Sequence, residues 1–316
     1  MLALLAALAA SSATPAPSVE LRMMIRDGRR IVAESGDIVW PGIGTVTLPI
    51  DLIENDREIL FCGRHALGFT PAAIDRVTGC GMQWRKRGLP VDLAAASTMG
   101  DQPLIQMGLP GTLELSRAQW IVTLLHESFH QYQASLPGYQ AAVDAIGVDL
   151  NRPGGGWFLS YPFPYARQDV VAAFARMNRC AQAFLANQSP KKVRQLVSDY
   201  VTARREAEAV VSPRDWRYYE FQVGQEGVAR WYELRLARSA GRRDRPIAAV
   251  ATDKWDGLVT SLRATEAQGL SIWKRNALYV FGAVEAEMLD QTVPDWKQVY
   301  RQRPFSIGAQ LANVTR

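Results

Sequence analysis

The chain has 316 residues, of which 48% are hydrophobic and 21% charged, and 36 basic against 31 acidic side chains leave a net charge of +5. This balance excludes a disordered chain and a strongly cationic nucleic-acid binder, and the length allows one large or two modest domains with a substantial core. The surplus charge is scattered, and only Arg242-Arg243-Asp244-Arg245 is locally dense, which reads as a solvated loop between helices.

Residues 1–13 carry no charge, and 2–10 form a short apolar stretch that gives way to small residues before Ser11-Ser12-Ala13-Thr14-Pro15. That is the pattern of the h-region and cleavage zone of a secretory signal covering residues 1–18, too short for a stable membrane anchor, although a basic n-region is missing. The expectation is an exported protein, periplasmic or secreted. Residues 19–109 are expected to form a small β-rich part, with β-prone runs at 31–34, 45–50 and 58–62 punctuated by Gly and Pro. Of the three cysteines, Cys62 and Cys80 bracket a turn-rich segment and are the preferred disulfide, with Cys180 in a helical run; three reduced, buried cysteines are the alternative. Their spacings lack a C-x₂₋₄-C pair, so they are not expected to bind metal. The run 103–108 reads as a strand, either an ordinary one or an open edge able to take an extended peptide by strand addition.

Residues 110–316 read as mainly helical, so the fold class is α+β. Helices are expected near 116–136, 166–187, 190–210, 214–239, 247–265 and 271–290, with loops at Asn151-Arg-Pro-Gly-Gly-Gly and Ala240-Gly-Arg-Arg. The first of these helices opens on a capping box, Ser116 with Gln119, and on Leu115 and Trp120 as staple partners. Trp120, Ile121, Leu124, Leu125 and Phe129 then recur at helical spacing until Pro137-Gly138 ends the element. Within it, His126, Glu127 and His130 spell H-E-x-x-H. Residues four apart lie one turn above each other, so both imidazoles can hold one Zn²⁺ while Glu127 serves as general base toward the attacking water. The bland alternative is a helix with two core or surface histidines.

Catalytic zinc usually takes three protein ligands. His65, in Cys62-Gly-Arg-His, is one candidate for the third, and a downstream glutamate is the better one. Residues 218–233 read as a helix following Pro213, crowded with acidic and aromatic side chains. Within it Gln225-Glu226-Gly227-Val228-Ala229, with Glu233 seven residues after Glu226, resembles the N-E-G-F-A-x-x-x-E helix that supplies the third zinc ligand in the gluzincin aminopeptidases. The resemblance implies a zincin-like catalytic part, Glu226 as ligand, and Gly227 as the residue that lets the ligand helix approach its neighbour. It also sets 103–108 in the place of the zincin edge strand that lines the substrate cleft.

The resemblance covers only the two motif helices. Between His130 and Glu226 lie 95 residues, where the aminopeptidases have a short gap. Their G-x-M-E-N segment, which holds the free amine of the substrate, has no counterpart, since Gly81-Met82-Gln83-Trp84 lacks the carboxylate. What carries over is the zinc site rather than the exopeptidase specificity. The segment between the motifs reads as a helical hairpin that returns the chain beside the metal helix. At about 100° per residue, Glu233 shares a face with Glu226, whereas Glu220 lies roughly 120° away. The alternative for these glutamates is a solvated face with Glu226, Arg230 and Glu233 in ordinary ion pairs.

An oxyanion donor is also needed, and with histidine nearly exhausted Tyr279 is the first choice, Tyr161 and Tyr165 the others. The expected function is an exported single-zinc metallopeptidase acting on peptides or proteins, with Glu127 and Tyr279 catalytic and no nucleic-acid partner. The alternative is an exported zinc-binding or scaffold protein without turnover. The oligomeric state is not legible in the sequence.

Overall fold

The computed structural model describes residues 16–146, 156–241 and 243–314; most of the expected leader, residues 151–155 of the glycine-rich loop and Arg242 lie outside the described residues. The architecture is α+β: one helix, a six-stranded sheet, then a succession of helices. Helix α1, Val19–Val39, opens on Ser18, whose side chain accepts the Leu21 N–H at 3.2 Å. It contains the run 31–34 that was expected to be β. Four β-branched-rich residues cannot distinguish the two periods, but Met24, Ile25, Ile31, Val32 and Val39 share one buried helical face.

The sheet has the order β3-β4-β2-β1-β6-β5, with β1 Ile50–Ile53, β2 Arg57–Phe61, β3 Thr70–Asp75, β4 Cys80–Lys86, β5 Ala94–Met99 and β6 Gln102–Gly108. Every pairing is antiparallel except β1 with β6, where Ile50 stands beside Ile105. Of the expected run 45–50 only Ile50 is strand; Ile43–Thr45 is a 3₁₀ turn, and Pro49, with no N–H to give, precedes the ladder. The segment 103–108 is a strand but an interior one. The edge on that side is β5, Ala-Ala-Ala-Ser-Thr-Met, whose alanines carry little β-propensity and hid it. Cys62 and Cys80 form a disulfide with Cα atoms 4.8 Å apart, and Cys180 is free and half-buried.

One sheet face, with Leu52, Ile59, Phe61, Ile105 and Met107, packs on α1 and on α2, Arg117–Ser135, in a single apolar core. The other face is smaller, and Leu60, Ala66 and Phe69 cover part of it. There the fully buried Asp51 has neither carboxylate oxygen hydrogen-bonded, and burial first, Glu58 second, push its carboxyl up to about 7.

After α2 come α3 Tyr139–Asp144, α4 Gln168–Leu185 and α5 Val193–Ala209, the last two packed as the hairpin between the motif helices. Then follow α6 Pro213–Gln222, a π-helical turn Val223–Gly227 and α7 Val228–Ala240, so the helix expected over 214–239 is one element with a bulge. Helices α8 Arg245–Gln268, α9 Leu270–Trp273, α10 Arg275–Thr292, α11 Trp296–Gln302 and α12 Ile307–Val314 complete the chain. Among the described residues no helix is long and apolar enough to cross a membrane.

Candidate metal centre

Helix α2 is anchored before it reaches the motif. Ser116 and Gln119 exchange the two hydrogen bonds of the capping box, and the Trp120 indole donates to the Gly108 carbonyl of β6 at 2.8 Å. The apolar stripe from Trp120 to Phe129 fixes the rotation of the helix, and this leaves His126 and His130 on the flank that meets the π-turn and α7. Behind them, Trp40 packs edge-on against Phe129, Trp296 and Tyr300 at ring separations of 4.8, 5.1 and 5.1 Å.

Glu226 arrives on the π-turn. Its Oε2 lies 3.5 Å from His126 Nε2 and 3.3 Å from His130 Nε2, and the two Nε2 atoms are 3.0 Å apart. Ligands bonded at about 2.0–2.2 Å in a tetrahedron stand roughly 3.3 Å from one another, so this triangle has the size of one zinc coordination face. The three side chains are only 10–12% exposed. Among the described residues this is the one grouping of His, Cys, Asp and Glu able to share a metal ion, and two imidazoles with one carboxylate suit Zn²⁺. His65 is exposed in the loop after β2 and takes no part.

Gly227 makes the close approach, but to α10 rather than to the metal helix. A Cβ at Gly227 would fall 2.3 Å from the Gly282 Cα, and one at Gly282 would fall 2.6 Å from the Val223 carbonyl oxygen. Backbone therefore meets backbone directly behind Glu226.

Two buried polar groups, neither of them assigned to such a role by the sequence, hold the histidines. The Gln133 carbonyl oxygen lies 2.6 Å from His130 Nδ1, while its amide donates to the Gln225 carbonyl at 2.9 Å and to the Tyr300 hydroxyl at 2.6 Å. One side chain thus ties His130 to the turn that presents Glu226, and it fixes the tautomer that leaves Nε2 facing the triangle. Its only sequence signal is a polar residue one turn after His130 on a helix whose neighbours are apolar. Glu233 Oε2 stands 2.9 Å from His126 Nδ1. The Nδ1 has no hydrogen bond of acceptable angle, so this contact is ionic rather than a linear hydrogen bond. Glu233 is 2% exposed and is balanced by Arg230 at 2.9 Å and Lys254 at 3.0 Å. The shared face expected for Glu226 and Glu233 is present, and the two carboxylates meet different atoms of His126. Glu220 points elsewhere and pairs with the buried Arg204 at 2.6 Å.

Glu127 Oε2 accepts the Ala96 N–H at 2.7 Å. Because β5 has no strand on its outer side, that N–H is available, and the edge is held against the carboxylate. Of the three tyrosines, Tyr161 donates to Asp215 at 2.6 Å and Tyr165 sits 3.4 Å from the Tyr218 hydroxyl. Tyr279 is the one turned toward Glu226: burial and then the Glu226 carboxylate hold its phenol well above the usual range, so it stays protonated.

Without metal, the centre is an ion cluster. Burial opposes charge on His126, but Glu226 and Glu233 outweigh it and raise the imidazole to about 10; Glu226 raises His130 likewise. Burial also opposes charge on Glu226, which the two histidines nevertheless keep well below the usual carboxylate range. A divalent cation would replace these protons with a charge of the same sign.

Comparison of the chain with protein-family models, curated proteins and solved structures finds no match, so the likeness to the gluzincin helices rests on the residues quoted above.

Proposed function

We propose that the chain is a single-zinc hydrolase of the gluzincin type, a metallopeptidase acting outside the cytoplasm. The observation that carries this reading is the triangle of His126 Nε2, His130 Nε2 and Glu226 Oε2, with edges of 3.0–3.5 Å, beside the one acidic residue of H-E-x-x-H. His126, His130 and Glu226 would hold the ion, and the Glu226 carboxylate would cancel one of its two charges. Zinc supplies Lewis acidity, which makes water nucleophilic at neutral pH. Glu127 takes the proton from the attacking water and hands it to the leaving amine. Tyr279 donates to the oxygen that gains charge. An extended peptide finds its backbone partner along β5, the edge strand beside Glu127 with no strand on its outer side, rather than along 103–108. The Cys62–Cys80 disulfide agrees with an oxidising compartment.

The test separates turnover from zinc binding alone. Purified protein should carry one zinc per chain; Glu127→Gln should keep the zinc and lose all cleavage of casein and of short peptides. An active Glu127→Gln protein, or one whose zinc survives His126→Ala together with His130→Ala, sinks the proposal. Zinc with no cleavage by the unsubstituted chain leaves the binding or scaffold reading.

A further inference from the structure

Near the triangle, α10 begins with a cation, Arg275. Arg275 donates to the Tyr279 hydroxyl, and its guanidinium carbon lies 5.6 Å from the Tyr279 ring centroid. Tyr165 and Tyr218, whose hydroxyls are 3.4 Å apart, also feel its charge, and Tyr218 and Tyr279 feel the Glu226 carboxylate as well. On neighbouring helices Arg204, Arg230 and Arg235 each pair with a glutamate, whereas Arg217 donates to the Ile146 carbonyl and Arg238 stacks over Trp255. Among the described residues Arg275 makes no ion pair.

Its position is enforced by the backbone. Lys274, just before it, adopts φ 47° and ψ −131°, a conformation that favours glycine, and this break ends α9 after four residues and restarts the chain as α10 with Arg275 foremost. Strain of this kind persists only where the surrounding structure holds it. A guanidinium carries five N–H donors in a planar fork, of which Tyr279 takes one. The remainder match the two oxygens of a carboxylate.

We propose that Arg275 anchors a carboxylate of the substrate, so that the chain acts on peptides bearing a negative charge close to the scissile bond. The proposal rests on the peptidase reading for its substrate class. The carboxylate comes either from the peptide C-terminus or from an aspartate or glutamate side chain. In both cases Arg275 acts as an electrostatic clamp beside Tyr279, and the free-amine anchor missing from the sequence is not required.

The experiment is a calorimetric titration of zinc-loaded Glu127→Gln protein, which binds without turnover, with hexa-alanine in three forms: free acid, C-terminal amide, and amide with one glutamate at each position in turn. A charge-assisted anchor should make a carboxylate-bearing form bind about 10- to 100-fold more tightly than the plain amide. Added salt should shrink that advantage. Arg275→Gln should abolish it while leaving the affinities for zinc and for the plain amide unchanged, and Arg275→Lys should restore part of it. A lead for the free acid assigns the C-terminus; a lead for one glutamate peptide assigns the side chain. Equal affinities for all three forms overturn the proposal, as does an equal loss for charged and uncharged peptides in Arg275→Gln. Should Arg275→Gln not fold, the salt dependence and the Arg275→Lys protein decide. Because the readout is binding, a preference measured in Glu127→Gln while the unsubstituted zinc-loaded chain cleaves none of the three peptides sinks the peptidase reading and leaves the anchor standing.

Discussion

Gly227→Ala tests the assembly of the metal centre without touching a ligand. The new methyl would lie 2.3 Å from the Gly282 Cα and 2.6 Å from its carbonyl carbon, where ordinary contact begins at 3.4 Å. The obstructing atoms are backbone, so no rotamer change relieves them, and the π-turn and α10 must part by about 1 Å. Overpacking of this size costs about 1–3 kcal/mol, a loss of several degrees in melting temperature for a chain of this length. Glu226 is the adjacent residue. A shift of that order would alter the 3.3 and 3.5 Å separations of its Oε2 from the two histidine nitrogens by up to about 1 Å, enough to spoil the spacing that a shared zinc requires. Zinc affinity should fall about 10- to 100-fold, as it does when the support of a ligand is disturbed. Competition against a chromophoric chelator gives the affinity, and thermal melts of the metal-free and zinc-loaded proteins give the stability. Gly282→Ala should reproduce the destabilisation. Unchanged affinity and melting temperature in Gly227→Ala would refute the argument that this glycine contact sets the position of Glu226.

The remaining predictions concern charge and support. Asp51 titrates near 7 when folded and near 3.8 when unfolded, so its penalty is absent below about pH 4, grows between the two values and is complete above pH 7. Asp51→Asn should therefore stabilise the protein at pH 8 by up to about 4 kcal/mol and hardly at all at pH 3.5; an equal gain in urea unfolding at both values would exclude the mechanism. In the metal-free protein the raised His126 contributes stability that is complete below about 6.5 and lost as pH climbs through about 10, whereas zinc must displace the same protons. Metal-free stability should fall over that window while zinc affinity rises, and a zinc Kd independent of pH between 6 and 8 would contradict the proton-filled cluster. Gln133→Leu should weaken zinc binding about 10- to 100-fold with secondary structure intact by circular dichroism, and no change in Kd would remove Gln133 from the support of His130.

The parts legible in the sequence were those specified by short-range rules. The capping box, the apolar stripe of α2 and the i,i+4 histidines need only the helical repeat, and the Glu226–Glu233 face needs two turns of the same repeat. The Cys62–Cys80 pairing followed from a compact intervening segment. What escaped depends on partners distant in sequence. The run 31–34 joined α1 because its face is buried on other helices, and β5 is a strand because β6 lies beside it, not because alanine prefers one. The π-turn at Val223–Gly227 answers to Gly282, some 55 residues further on, and Gln133 gains its role only when Tyr300 and the Gln225 carbonyl are beside it.

The triangle and its supports come from β5, α2, the π-turn, α7, α8 and α11, which together span Ala96 to Tyr300. During synthesis, therefore, a chain that has emerged as far as α2 displays H-E-x-x-H with only two of its three donors and none of the downstream clamps. The centre comes into being as one of the last products of folding. If the centre holds zinc as proposed, a growing or truncated chain would lack the complete donor set, and metal occupancy would serve as a readout of completed assembly.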